Sequence, residues 1–216
     1  MTNQRTNPLN GLFDEYSAIN KLLFFCMLCL ITFLILYLKK SFIESNIAAF
    51  EILEERGELG VWHIFNALQY FSIPVVYLYK FTVIAFILWI GCFLFGYKVY
   101  YSFLWGLAML AETIFFIPEI LKTFWFILVQ SDPTIWDVRA FYPLSLMHFF
   151  NYENINNAWQ YPLKALNLFE VIYWIFLVYG VYYLSGKRLK ISFYIVFSSY
   201  VFWFILWLGY YVIIYK

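Results

Sequence analysis

Of the 216 residues of this chain, 64% are hydrophobic and only 12% are charged, whereas soluble domains carry about 45–50% and about 25%. This composition excludes an ordinary soluble domain, and the formal net charge of +1 provides no basic field for nucleic acid. We therefore predict an all-α polytopic membrane protein with about five transmembrane helices and further interfacial amphipathic helices, in one transmembrane domain over 22–216.

The N-terminal segment, 1–21, begins with polar residues and then carries apolar residues at helical spacing, which predicts an interfacial helix over 10–20. The run 22–38 has no charge and is just long enough to cross about 30 Å of hydrocarbon. No small-residue cleavage site follows it, so we expect this first span to stay as an anchor rather than to be removed as a signal peptide.

The segment 41–57 follows the first span and is rich in glutamate. Ser41 and Glu44 have the spacing of a capping box, in which a serine precedes glutamate by three residues. Apolar residues occupy one side of the helix that would begin there and glutamates occupy the others. We predict an interfacial or solvent-facing helix with an acidic face.

The second predicted span, 75–97, starts after Pro74, because a proline is tolerated near a helix start. Lys80 lies inside this span, and its long side chain can extend toward one membrane face. The preceding stretch, 61–72, is apolar but interrupted by polar residues. We predict that it approaches the membrane as an amphipathic lead-in.

The third predicted span, 100–117, carries Glu112 deep inside an apolar run. An ionisable side chain at membrane depth costs roughly 2.5–3.5 kcal/mol on insertion scales unless it finds a partner or water. Pro118 should break or kink the helix. A short continuation is then predicted over 119–130, in which Glu119 and Lys122 lie one turn apart on the same face.

The segment 132–165 is too polar to span a membrane and too apolar for a solvated loop, and it contains His148. A pair of short re-entrant or interfacial helices covering one end of the bundle fits best. The last two predicted spans are 166–184, with Glu170 near its start, and 191–215. A basic turn joins these two spans.

No arrangement of residues in this chain is typical of an active site. The three cysteines lie in apolar runs, and the two histidines stand alone, without a metal-binding spacing. The chain contains neither a Gly-x-Ser-x-Gly elbow nor a glycine-rich phosphate loop. We therefore predict no enzyme activity, no catalytic residue, no metal and no cofactor. The candidate functional residues are polar side chains in or near the spans: Glu112, Glu119, Lys122, Lys80, Glu170 and His148.

Two roles remain open for Glu112. Intramembrane carboxylates often mark an ion or proton pathway, but the chain lacks the paired broken helices of an inverted-repeat transporter. The alternative is a structural role, in which Glu112 pairs with Lys80 or hydrogen-bonds to tyrosine hydroxyls or to Glu170. We expect the structural role.

The C-terminal third resembles the Yip1 family of five-span membrane proteins. The resemblance rests on Tyr142-Pro143-Leu144-Ser145-Leu146, on Pro162, on Leu166-Asn167-Leu168-Phe169 and on Gly180 within the same span. Members of the family have a cytoplasmic N-terminus and act as adaptors in membrane traffic and organisation. The acidic segment 41–57 departs from the family pattern. The resemblance implies a role in a membrane complex rather than a reaction.

These features together predict a non-enzymatic protein of the bacterial inner membrane, a subunit or scaffold of a larger complex. Its expected partners are membrane lipids and other membrane protein subunits. The alternative function is a small channel or transporter component that uses Glu112.

The basic turn at Lys187, Arg188 and Lys190 should be cytoplasmic. With five spans, this places the N-terminus inside and the C-terminus outside.

Overall fold

The computed structural model describes residues 20–42, 59–130, 133–186 and 188–215. Within these ranges the regular structure is helical, apart from one isolated antiparallel bridge between Ser145 and Asn167. Short 3-10 turns occur at Thr113–Phe115, Leu146–Phe149 and Tyr152–Asn154. In chain order, the α-helices are α1 (Lys21–Phe42), α2 (Leu59–Leu94), α3 (Tyr101–Glu112), α4 (Phe116–Leu128), α5 (Ile135–Ala140), α6 (Asn157–Ala165), α7 (Leu168–Ser185), α8 (Leu189–Val196) and α9 (Phe202–Ile214).

Five stretches of the described chain are long and apolar enough to cross a membrane. The prediction of an all-helical chain with five such helices is therefore confirmed. The five stretches are Lys21–Phe42, Ala67–Leu94, Tyr101–Leu128, Leu168–Ser185 and Leu189–Ile214.

The core lies between α2, α3, α7 and α8. Helix α2 packs along α3, α3 along α7, and α7 along α8, and side chains such as Phe81, Leu104 and Leu177 are fully buried between them. Helix α1 lies at the periphery, against α2 and α4. In an 18-residue apolar window of each helix, only 11% of the α1 residues are buried, compared with 44% for Tyr101–Leu128.

Contacts at the ends of the helices define two ends of the bundle. At the first end, the ammonium of Lys21 donates to the hydroxyl of Ser102 at 2.6 Å and to its carbonyl at 2.9 Å. At the second end, the ring of Tyr161 on α6 lies 4.7 Å from that of Tyr211 on α9. Helices α5 and α6 therefore lie at the end where α1 and α9 finish.

Two glycines allow close helix contacts in the core. A Cβ atom added at Gly180 on α7 would overlap the side chain of Leu107 on α3, and one at Gly91 on α2 would lie 2.8 Å from both Cβ and Oγ of Ser199. Small residues at helix contacts let backbones approach closely, which is how helices associate in lipid.

The second apolar helix is longer than predicted. It begins at Leu59 rather than at Val75, so that Pro74 lies inside α2 and the predicted lead-in over 61–72 belongs to the same helix as the span. A proline inside a helix removes one backbone hydrogen bond, and packing along the rest of a long helix can offset that loss. At its other end the helix stops at Leu94, because the chain turns at Gly96 with a φ of +77°.

The third apolar segment is distorted before Pro118 and not at the proline itself, where the break was predicted. The 3-10 turn Thr113–Phe115 separates α3 from α4, and Pro118 lies within α4. The reason is geometric: a proline ring clashes with the carbonyl four residues earlier, so the distortion falls on the preceding turn. That carbonyl belongs to Ile114, the middle residue of the 3-10 turn.

The other predicted boundaries differ by a few residues. Helix α1 extends over Lys21–Phe42 instead of 22–38. Helix α7 starts at Leu168 because the side chain of Asn167 caps it, accepting from the backbone N–H of Glu170 at 2.9 Å. The last predicted span, 191–215, is observed as α8, a π-helical stretch at Phe197–Val201, and α9.

The polar segment predicted over 132–165 is folded from residue 133 onward. It contains α5, the 3-10 turns at Leu146–Phe149 and Tyr152–Asn154, and α6. Backbone hydrogen bonds from Leu146 to Leu166 and from Leu168 to Leu144 attach the segment to the start of α7. The predicted helix over 10–20 and most of the acidic segment 41–57 lie outside the described residues.

Candidate functional site

A cavity of about 430 Å³ lies between α1, α2 and the α3–α4 segment. We call it the Glu112 cavity. Its lining residues recur every three or four positions on each helix, so that one face of each helix forms a wall. They are Thr32, Ile35, Leu36 and Lys39 of α1; Gln69, Ser72, Ile73, Val76, Tyr77 and Lys80 of α2; Glu112, Phe115, Phe116 and Glu119 of the α3–α4 segment; and Tyr142.

Glu112 and Lys80 form an ion pair within this cavity. The ammonium of Lys80 donates to Oε1 of Glu112 at 2.7 Å and lies 4.9 Å from the centre of the Phe115 ring. Glu112 is only 4% exposed. The predicted pairing of Glu112 with Lys80, one of the alternatives considered, is confirmed.

The second carboxylate oxygen of Glu112, Oε2, differs from Oε1 in its hydrogen bonding. Oε2 is buried, and among the described residues it has no hydrogen-bond partner. A carboxylate accepts hydrogen bonds through both oxygens, and a buried polar atom without a partner carries a desolvation cost. Glu112, which lines the cavity, therefore keeps one buried acceptor that is not used by the described residues.

A second, looser ion pair joins α1 to α4 at the cavity border. The ammonium of Lys39 lies 3.9 Å from Oε2 of Glu119, beyond ordinary hydrogen-bond length. Nearby, the hydroxyls of Thr32 and Tyr77 share a hydrogen bond of 2.6 Å between α1 and α2. The peripheral helix α1 thus contributes polar groups to the cavity.

Lys122 lies outside the cavity and holds the segment after α4 in place. Its buried ammonium donates to the carbonyl of Val138 at 2.6 Å, and the ammonium of Lys164 donates to the carbonyl of Arg139 at 3.1 Å. Both carbonyls lie at the C-terminal end of α5, where cations are favourable. Burial, with a contribution from the nearby Arg139, lowers the pKa of Lys164.

Glu170 is a second buried carboxylate, on α7. Its Oε1 accepts from the indole N–H of Trp174 at 2.8 Å and from the hydroxyl of Tyr200 at 3.1 Å. Tyr200 belongs to the π-helical stretch Phe197–Val201, and such stretches often occur at functional sites. Glu170 does not line the Glu112 cavity; its donors are neutral side chains.

His148 lies in a different part of the molecule. It lines a second cavity of about 320 Å³, together with Asp137 and Glu153. Its Nδ1 lies 3.5 Å from Oγ of Ser145. In the part of the chain that the structure describes, no group of three His, Cys, Asp or Glu side chains could hold a metal ion.

The sequence prediction did not include several polar residues of the Glu112 cavity. Thr32, Gln69, Ser72, Tyr77 and Tyr142 all line it. The available signal was the recurrence of Gln69, Ser72 and Lys80 on one face of an apolar helix. Burial, together with nearby carboxylates, raises the pKa of Tyr142.

The structure thus brings together three of the six predicted residues, Lys80, Glu112 and Glu119, at one cavity. Lys122, Glu170 and His148 lie elsewhere.

Comparisons of the chain with protein-family models, with curated proteins and with solved structures found no match.

Proposed function

We propose that this chain is a multi-pass protein of the bacterial inner membrane in which the Glu112 cavity admits water and small polar solutes, as in a channel or transporter component. Five long apolar helices support membrane insertion. The observation that carries the function is the buried Oε2 of Glu112, which has no partner among the described residues and belongs to a side chain that lines a cavity of about 430 Å³. Small-molecule sites occupy about 300–1,000 Å³.

Two adjacent valines offer a matched test of a water-filled cavity. Val75 and Val76 are 66% and 54% exposed, but only Val76 lines the cavity. Cys26, Cys29 and Cys92 are first replaced by alanine, and then Val75→Cys and Val76→Cys are made separately. We expect a charged, membrane-impermeant thiol reagent to modify the cysteine at 76 and not the one at 75.

Either of two other results would contradict this proposal. If both cysteines stay unmodified, the cavity is dry. If both react, this part of α2 lies in water and not in lipid.

We also propose, as a second candidate, that the chain is a subunit or scaffold of a membrane complex. The supporting observation is the position of α1, whose residues Leu22 and Leu23 are 70% and 66% exposed. Purification after cross-linking at Leu23 should recover a defined partner protein. Recovery of lipid adducts alone would contradict a role as a subunit or scaffold. The resemblance to the Yip1 family stays a prediction.

A further inference from the structure

The charged groups around the Glu112 cavity limit the ligands that it can hold. Two lysines and two glutamates line it, paired as Lys80 with Glu112 and Lys39 with Glu119. A ligand with a net charge would add an uncompensated charge among apolar helices, which is unfavourable. A ligand that carries one positive and one negative charge adds no net charge.

Each of the two ion pairs offers a contact for one charge of such a ligand. Oε2 of Glu112 is an acceptor without a partner among the described residues, and an ammonium group supplies the N–H donor that it lacks. The Lys39–Glu119 pair is 3.9 Å long, so Lys39 can turn toward an anionic group without losing a short hydrogen bond.

The spacing between the two pairs sets the size of the ligand. Glu112 and Glu119 are seven residues apart, which corresponds to roughly 11 Å along the α3–α4 segment. A zwitterion with a short methylene chain and a hydrogen bond of about 2.8 Å at each end spans a similar distance. Phe115, Phe116 and Tyr77 provide an apolar wall for the methylene groups.

We propose that the Glu112 cavity binds a small zwitterion, with its primary ammonium on Oε2 of Glu112 and its anionic group on Lys39. This inference rests on the proposed function, since it needs a cavity that polar solutes reach. The same chemistry is present in free ω-amino acids and in the headgroup of phosphatidylethanolamine.

The test uses the full chain carrying Val76→Cys on the cysteine-free background, in nanodiscs of phosphatidylglycerol. The rate of cysteine modification is measured with 4-aminobutyrate, butylamine or butyrate present. We expect 4-aminobutyrate to slow modification several-fold and the two singly charged probes to have little effect. Equal protection by butylamine would overturn the proposal. So would a lack of protection by every probe together with an equally fast rate of modification in phosphatidylethanolamine nanodiscs.

Matched variants locate the two contacts. In Glu112→Gln, the amide can keep an acceptor toward Lys80 but presents N–H groups at the place of Oε2, so protection should be lost. Lys39→Gln should also lose it, whereas Lys40→Gln should keep it, because Lys40 lies over the Tyr70 ring and does not line the cavity. Protection unchanged in both Glu112→Gln and Lys39→Gln would rule out the proposed contacts.

Nanodiscs that contain phosphatidylethanolamine distinguish the two sources. If the lipid headgroup is the ligand, the cysteine at 76 is already protected there and 4-aminobutyrate adds nothing. If a free zwitterion is the ligand, both lipids give the same unprotected rate. A cysteine that stays unmodified in every nanodisc contradicts the proposed function itself, whereas modification that no probe or lipid slows contradicts only the zwitterion.

Discussion

At the scale of single residues, the Lys80–Glu112 pair combines a buried carboxylate with a partly exposed ammonium group. The pair places a carboxylate that is 4% exposed beside an ammonium whose side chain is 38% exposed. Breaking a buried pair by removing one partner is costly, because the other charge is left without compensation. Partial exposure of Lys80 reduces that cost.

Glu112→Leu should therefore lower the free energy of unfolding by about 1–3 kcal/mol, as measured by thermal unfolding in detergent. Glu112→Gln keeps a hydrogen-bond acceptor for Lys80 and should lose less. The control is Glu119→Leu, which removes a partly exposed partner at 3.9 Å and should cost little. Equal, negligible losses in all three variants would show that Glu112 does not hold the helices together.

Asp137 offers a test of pH dependence outside the apolar helices. The pKa of Asp137 lies below its ordinary value, first because the hydroxyl of Thr134 donates to its carboxylate at 2.6 Å, and then because the backbone N–H of Thr134 donates at 2.9 Å. A carboxyl group whose pKa is lower in the folded state stabilises the fold above its unfolded pKa. That stabilisation is lost as the pH falls through the folded pKa.

The difference in melting temperature between the natural protein and Asp137→Asn should thus stay constant from pH 7 to about pH 5 and shrink below about pH 4. Thr134→Val removes the hydroxyl donor and should shift this loss to higher pH. A difference that does not change with pH would show that the capping box of α5 contributes no charge-dependent stability.

Sequence reasoning identified the partner of Glu112 only as one of several candidates. An uncompensated carboxylate in an apolar run requires a partner, and Lys80 was the nearest cation in the neighbouring span. The choice between Lys80, a tyrosine hydroxyl and Glu170 depends on helix rotation, which local patterns do not determine. Glu170 instead takes its donors from Trp174 and Tyr200.

At the scale of helices, Gly180 determines how closely α7 approaches α3. Gly180→Ala should destabilise the fold by about 1–3 kcal/mol, because the new methyl group overlaps the side chain of Leu107. Gly209→Ala is the matched control, since a Cβ there meets no atom within 4 Å. Thermal unfolding in detergent measures both.

A double variant separates this overlap from a change in helix propensity. Combining Gly180→Ala with Leu107→Ala should cost less than the sum of the two single changes, because the smaller side chain makes room for the methyl group. Additive losses would mean that the α3–α7 contact is not limited by space at Gly180.

Helix boundaries followed from the sequence where a charge marks them, as at Lys21. They did not where a proline was involved. Pro74 lies inside α2 and not near a helix start, and the distortion of the third segment precedes Pro118. The position of a proline in the sequence shows which backbone hydrogen bond is missing. Whether the helix continues through the proline depends on tertiary packing.

At the scale of the whole molecule, an odd number of crossings by the five apolar helices would place the two ends of the described bundle on opposite sides of the membrane. The turn between α7 and α8 carries Lys187, Arg188 and Lys190, which favours the cytoplasmic side. A reporter fused after Lys190 should therefore report the cytoplasm, and one fused after Lys216 the outside. The same side for both would mean that the last apolar segment, Leu189–Ile214, does not cross.

The Glu112 cavity could not be derived at this scale from the sequence. Its walls come from α1, α2 and the α3–α4 segment, and a rotation of α1 by a quarter turn would remove Thr32 and Lys39 from it. Hydrophobicity predicts that each helix exists, but α1 is apolar on most of its surface, so its orientation depends on a few polar contacts such as that of Thr32 with Tyr77.

The ion pair between α2 and α3 also has a consequence for biogenesis. A lone Lys80 or Glu112 entering the bilayer from the translocon would each oppose partitioning of its helix by about 2.5–3.5 kcal/mol. The two charged groups lie 2.7 Å apart, and their helices are consecutive in the chain. The cost of partitioning is therefore lower when α2 and α3 enter the lipid together, as one helical hairpin. We therefore expect the Lys80–Glu112 pair to couple the entry of α2 and α3 into the membrane during synthesis.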